Sequence, residues 1–172
     1  RRGSGKNVMG DPCIVWDDAV AAWRMFLFAS SPGHGHTVCT RMDPNGLPEA
    51  WTPVEPIPFL GPKQPTHKPF IVQDARHPNR AARIHGEYWM VSVWSGPRKQ
   101  IHRARARSLA GPWTWDAGWI IPAGEPDAFD GKHADAVTGF YFPERDEVLY
   151  FYMGYPLRAQ PATDKTSDLP RI

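Results

Sequence analysis

The sequence predicts an all-β protein built from a repeated four-stranded antiparallel unit. Three observations lead there. Almost every apolar run is short, rich in aromatic or β-branched residues, and bounded by Gly, Pro, Asp or Asn. The 19 prolines among 172 residues leave little room for long helices. The runs also recur in the same order along the chain.

Taken in order, Cys13–Trp16, Trp23–Phe28 and Thr37–Thr40 form a first group of strands. Phe70–Val72, Tyr88–Trp94 and Gln100–Arg105 form a second, and Val137–Phe142 with Val148–Tyr152 begin a third. Only Asp18–Trp23 and Asn79–Ile84 have room for a helical turn. The latter reads better as a hairpin insertion, because Pro78 and nearby arginines interrupt it.

The groups align on one another. "DPCIVWDD" (11–18) matches "KPFIVQD" (68–74), and "WRMFLFAS" (23–30) matches "YWMVSVWS" (88–95). "HTVCTRM" (36–42) matches "QIHRARA" (100–106), and "AWT" (50–52) matches "PWT" (112–114). A third copy starts at "ADAVTGFYF" (134–142) and continues through "EVLYFYMG" (147–154). The spacing is 57 residues from Asp11 to Lys68 and 67 from Lys68 to Asp135. A self-similar unit of four short strands at such a period is the signature of a β-propeller blade, which buries its faces against its neighbours. The expected architecture is a single, partial propeller domain with blades at 9–61, 66–123 and 133–156 and an irregular tail at 157–172.

Composition narrows the function classes. There are 20 basic and 18 acidic residues, a net charge of +2, which gives no reason to expect nucleic acid as a partner. The basic tract from Arg98 to Arg107 alternates charged with small or apolar residues and reads as the solvated face of a strand. No window approaches the length of a membrane helix, so no membrane partner is expected. Cys13 and Cys39 read as a free buried pair rather than a disulfide framework, and the compartment stays open between secreted and cytoplasmic. His34 and His36 fall in a Gly-rich hairpin loop without a third ligand nearby. Neither a metal nor a cofactor is expected.

Trp113, Trp115 and Trp119 crowd into one segment. Trp113 repeats Trp51 and is expected to pack between blades. Trp115 and Trp119 have no counterpart in the first copy. Trp115 is a candidate for stacking on a ligand ring, with packing as the alternative reading.

Together "GDPCIVWDD", "HKPFIV…YWMVSVWSG…RARSLAGPWT" and "HADAVTGFYFPERDEVLYFYMG" resemble the five-bladed β-propeller glycoside hydrolases of family 43 and its relatives. The resemblance covers most of residues 9–155, and "ARSLAGPWT" in its blade position is its most specific piece. It implies three blades of an expected five, a sugar-binding funnel at the propeller axis, and carbohydrate as the partner. It also implies inverting cleavage of arabinose-, xylose- or galactose-type glycosides. That chemistry uses a base on water, an acid on the leaving oxygen about 6.5–9.5 Å away, and an Asp that tunes the acid.

Carried over, Asp11 matches the base and Asp135 the tuning Asp. The general acid, a Glu on a fourth blade, has no match, since "LRAQPATDKTSDLPRI" offers none. Asp11 before Pro12 also fits a turn opener, and Asp135 also fits a cap on backbone amides. Lys68, His133 and Asp130 are candidate sugar-binding residues. Their alternatives are a rim lysine, a structural histidine and a solvated loop acid.

Three blades cannot close a ring, and five need roughly 220 residues at ordinary strand and turn lengths. The expectation is therefore a fragment, or a ring completed by missing blades or a partner. A non-catalytic carbohydrate-binding propeller and a protein-interaction scaffold are the competing readings.

Overall fold

A computed structural model describes residues 8–31, 34–42, 51–61 and 66–157. All regular elements among them are strands, arranged in three sheets. The first sheet has the order β1 (Val8–Asp17), β2 (Ala22–Ser31), β3 (His34–Met42) and β4 (Glu55–Pro56). In the second, β5 (Phe59–Leu60), β11 (Trp113–Trp115), β10 (Gln100–Ala106), β9 (Glu87–Trp94) and β6 (Thr66–Ile71) follow in that order, and β8 (Arg83–Ile84) pairs with the end of β9. The third is β13 (Glu147–Tyr155), β12 (His133–Phe142) and β7 (Gln73–Asp74).

The meander expected from the repeats is present in the first two sheets, antiparallel from one strand to the next. The first strands of the second and third sheets stand beside one another and run the same way, because β7, which prolongs β6, pairs in parallel with β12 through Gln73 and Phe140. Trp16 at the end of β1 bridges to Arg80, in the return segment that pairs antiparallel with Gln73.

Each first strand carries a β-bulge at the same point. Asp11 and Pro12 fall between the pairs Gly10–Phe28 and Cys13–Phe26. Lys68 and Pro69 fall between His67–Val93 and Phe70–Val91, and Ala136 and Val137 between Asp135–Met153 and Thr138–Phe151. Two residues thus oppose one, and the first of each two is left-handed, with φ of 53° at Asp11, 53° at Lys68 and 44° at Ala136. This corrects the alignment of the third copy by one residue. Ala136, not Asp135, is the counterpart of Asp11 and Lys68, and Asp135 corresponds to Gly10 and His67.

Two cores hold the sheets together. Between the first and second lie Cys13, Val15 and Phe26 on one side and Met90, Ala104 and Trp113 on the other. Trp113 is fully buried and meets Phe26 edge to face at 6.3 Å, the packing between units expected of it. Between the second and third lie Val72, Val91 and Ile101 against Ala134 and Val137. The middle sheet is therefore covered on both sides, which is why β9 reads "YWMVSVW" rather than alternating. On β13, Val148, Tyr150 and Tyr152 turn toward this core, while Leu149 and Phe151 are exposed on the other face.

Several local expectations shift. The fourth strand of the first sheet is Glu55–Pro56, and Trp51 makes a single bridge to Met42. Phe59–Leu60 joins the second sheet, parallel to β11. Asp18–Ala21 is a turn rather than helix, and Arg83–Ile84 forms a hairpin with β9 through left-handed His85 and Gly86. His34 and His36 are residues of β3 rather than of a loop. The tail from 158 onward lies outside the described residues. Cys13 and Cys39 are free and buried, and burial pushes the Cys13 thiol up to about 12.

Candidate functional site

The bulges fix where the polar groups gather. Asp135 immediately precedes the bulge on β12 and is buried, with 2 % of its side chain exposed. Left-handed Ala136 turns its own N–H back onto Asp135 Oδ1 at 2.8 Å. The same oxygen takes the Lys68 ammonium at 2.9 Å, sent from the bulge of β6. Asp135 Oδ2 accepts from the Lys99 ammonium, just before β10, at 2.6 Å.

His67 Nε2 stands 3.7 Å from Asp135 Oδ1, beyond hydrogen-bond reach, while its Nδ1 meets Ser95 Oγ at 2.6 Å. Burial alone would raise the Asp135 pKa. The His67 ring nearby, and the Lys99 and Lys68 ammoniums bonded to the carboxyl, overcome that and hold it well below the usual carboxylate range, so it is an anion at neutral pH.

His133, two residues upstream, is tied to the same Lys99. Its Nδ1 accepts the Lys99 backbone N–H at 3.1 Å, and the Lys99 carbonyl in turn accepts the Ala134 N–H at 3.0 Å. A neutral ring so bonded carries its proton on Nε2. Its pKa is lowered by burial, then by the positive charges of Lys99 and Lys132.

The other expected site residues are placed as follows. Asp130 is buried in the loop before β12 and accepts the Tyr152 hydroxyl at 2.9 Å, and burial with this bond pushes the phenol up to about 12. Trp115 lies flat on Phe59 at 4.9 Å and edge-on to His102. Asp11 is exposed and makes no ion pair or side-chain hydrogen bond among the described residues. The strand paired with its own, β2, reaches the cluster through an aromatic contact. Gly10 pairs with Phe28, whose ring meets His67 edge to face at 5.9 Å.

Lys68, Asp135 and His133 therefore come together, while Asp130 and Trp115 are engaged in packing. Sequence reasoning missed His67, Ser95 and Lys99. The repeat could have found His67, the residue before the bulge, once the third copy is put in register. Lys99 was read as part of a solvated basic strand. Of the rest of that tract, Arg105 lies on an exposed face, while His102 is buried. Arg103 and Arg105 pair with Asp116, and Arg103 covers the Trp89 ring at 4.0 Å. Arg98 donates to the carbonyls of Gly124 and Gly131, pinning the loop that carries Asp130. A cleft of about 380 Å³ opens elsewhere, between Arg24, Thr40, Arg41, Thr52 and Glu55, and none of the expected site residues lines it.

No family model and no curated protein matches the chain. Solved structures do. A family 117 glycoside hydrolase from the marine bacterium Zobellia galactanivorans superposes with a TM-score of 0.65 at 13 % identity, over 90 % of this chain and 50 % of that one. A thermostable family 43 glycoside hydrolase gives 0.60 at 17 % identity, over 91 % and 51 %. The catalytic domain of the GH62 α-L-arabinofuranosidase of Coprinopsis cinerea gives 0.60 at 14 % identity, over 96 % and 52 %. At these identities the likeness shows the fold, that of the β-propeller glycosidases. The chain spans about half the length of each of these structures.

Proposed function

We propose that this chain belongs to a glycoside hydrolase of the family 43 type, with its three sheets standing for three of five blades. It would act on arabinose-, xylose- or galactose-containing glycans with inversion. The observation that carries the reading is the buried Asp135 anion at the mouth where the bulged first strands meet, beside His67, Lys68, Lys99 and His133. Asp11, at the equivalent bulge of β1, is solvated and suits a base acting on water. Trp119, 38 % exposed, tilts at 5.0 Å against Trp94, the residue before Ser95, and adds an apolar platform there. The fold likeness to glycosidases, one of them an arabinofuranosidase by name, supports the same direction.

One observation favours a second reading, a carbohydrate-binding propeller without catalysis. Two ammonium groups already share Asp135, and among the described residues no glutamate touches the cluster to serve as the proton donor.

A crystal soak with arabinose and xylose tests the common ground, and aryl glycosides test the chemistry. Sugar density against Lys68, Lys99 or His133, without aryl-glycoside turnover by this chain alone, is the expected result. Sugar bound only at other surfaces would overturn the site, and robust turnover would overturn the incomplete catalytic set.

A further inference from the structure

We propose that the cations beside Asp135 recognise an anionic group carried by the glycan, a carboxylate or a sulfate ester, with Lys68 and Lys99 as its ligands. The proposal rests on the glycan reading above and names the substrate class of that site.

The argument is a count of donors and acceptors. A neutral sugar hydroxyl both donates and accepts, so a site for neutral sugars needs free acceptors. Here three of the carboxylate's roughly four acceptor positions are already filled. Asp135 Oδ1 already takes the Lys68 ammonium and the Ala136 N–H, and Oδ2 takes the Lys99 ammonium. His133 Nδ1 takes the Lys99 N–H.

Donors are in surplus. Each ammonium carries three N–H bonds, and Asp135 occupies one on each. The two lysine side chains are 28 % and 32 % exposed, against 2 % for Asp135, so they face solvent where the carboxylate does not. His133 adds an Nε2–H. Donors that outnumber acceptors, around a two-to-one excess of ammonium over carboxylate, fit a group that only accepts: a carboxylate or a sulfate.

Among the described residues no other acid pairs with either ammonium. Asp130 is committed to Tyr152, and Asp11 is exposed to water on the neighbouring sheet. The His133 pKa is lowered first by burial, and then by Lys99, Lys132 and Arg98 against the opposing pull of Asp135. A single lysine would neutralise Asp135, and the second is the one a structural pair does not need.

The test is calorimetric titration of this chain with glucuronic acid, galactose 6-sulfate, xylose, arabinose and sodium sulfate, in low and in moderate salt. At least tenfold tighter binding of an acidic sugar than of the neutral ones, weakening with salt, is expected. The preferred acidic sugar then identifies carboxylate or sulfate. Lys99→Gln should lose that preference and Lys99→Arg should keep it, with thermal melts confirming that both variants fold. Neutral sugars binding as tightly as acidic ones, and indifferent to Lys99→Gln, would overturn this inference and leave the glycan reading standing. Binding of sodium sulfate without any sugar, or of no probe at all, would overturn both.

Discussion

The Lys99 ammonium and the Asp135 carboxylate meet at 2.6 Å although they come from different sheets, and this bond closes the middle sheet onto the third. Asp135→Asn should cost about 2 kcal/mol at neutral pH, less than a fully buried pair because both lysines keep solvent contact. The pH dependence follows from the depressed carboxyl pKa. Its contribution is complete above the unfolded-state value of about 3.9 and is lost as the pH falls below it. Urea unfolding of both proteins should show a constant gap from pH 8 to 5 that narrows below pH 4. A gap that stays level into strong acid would contradict the assignment.

His102 gives the opposite kind of test. It is 6 % exposed, its ring lies 3.8 Å from that of Trp119, and neither nitrogen has a hydrogen-bond partner. Burial lowers its pKa to about 4. The folded state therefore resists protonation, and stability present above about 6.5 drains away as the pH falls toward 4. His102→Leu should flatten that slope and, by removing unpartnered polar atoms, leave stability at pH 7 unchanged or raised by about 1 kcal/mol. Denaturation midpoints between pH 7.5 and 4 decide it.

Trp113 and Phe26 join the first sheet to the second. Trp113→Ala should cost about 3–5 kcal/mol, the range for emptying a large aromatic site in a core. The same change at Trp51, which is half-buried and held by one bridge, should cost much less. Thermal melts of the two variants side by side test whether the repeat partners have diverged in role.

Trp119 should behave as a ligand-facing residue. Being partly exposed, Trp119→Ala should leave the fold within about 1 kcal/mol of the parent while weakening any sugar affinity several-fold, as loss of a stacking face does. Trp115→Ala, where the ring is stacked on Phe59, should show the reverse. Equal binding by both variants and the parent would remove the aromatic platform from the site.

Much of the architecture was legible because strands covered on both sides, such as β9, advertise themselves as unbroken apolar runs. The edges were not. Glu55–Pro56 and Phe59–Leu60 are two-residue strands held by a few backbone bonds, and two residues carry no periodicity. The site was half legible. Lys68, His133 and Asp135 sit on strands that repeat, so the pattern pointed at them. Lys99 lies 36 positions from Asp135 and just ahead of a strand that reads as ordinary basic surface, so only the packing of one sheet on the next reveals its partner. The one-residue error in the third copy has a backbone cause. A bulge leaves no mark in hydrophobic alternation when either neighbour is small, as at Ala134–Val137.

The left-handed residues at 11, 68 and 136 have a consequence for how this chain can change over time. They recur at the same point of each first strand, whatever length separates them, here 57 and then 68 residues. Hairpins between these markers are free to gain or lose residues at the far rim without disturbing the charged groups. A single deletion inside the marker itself would swing everything upstream on that strand to the opposite side, taking Asp135 away from both of its lysines.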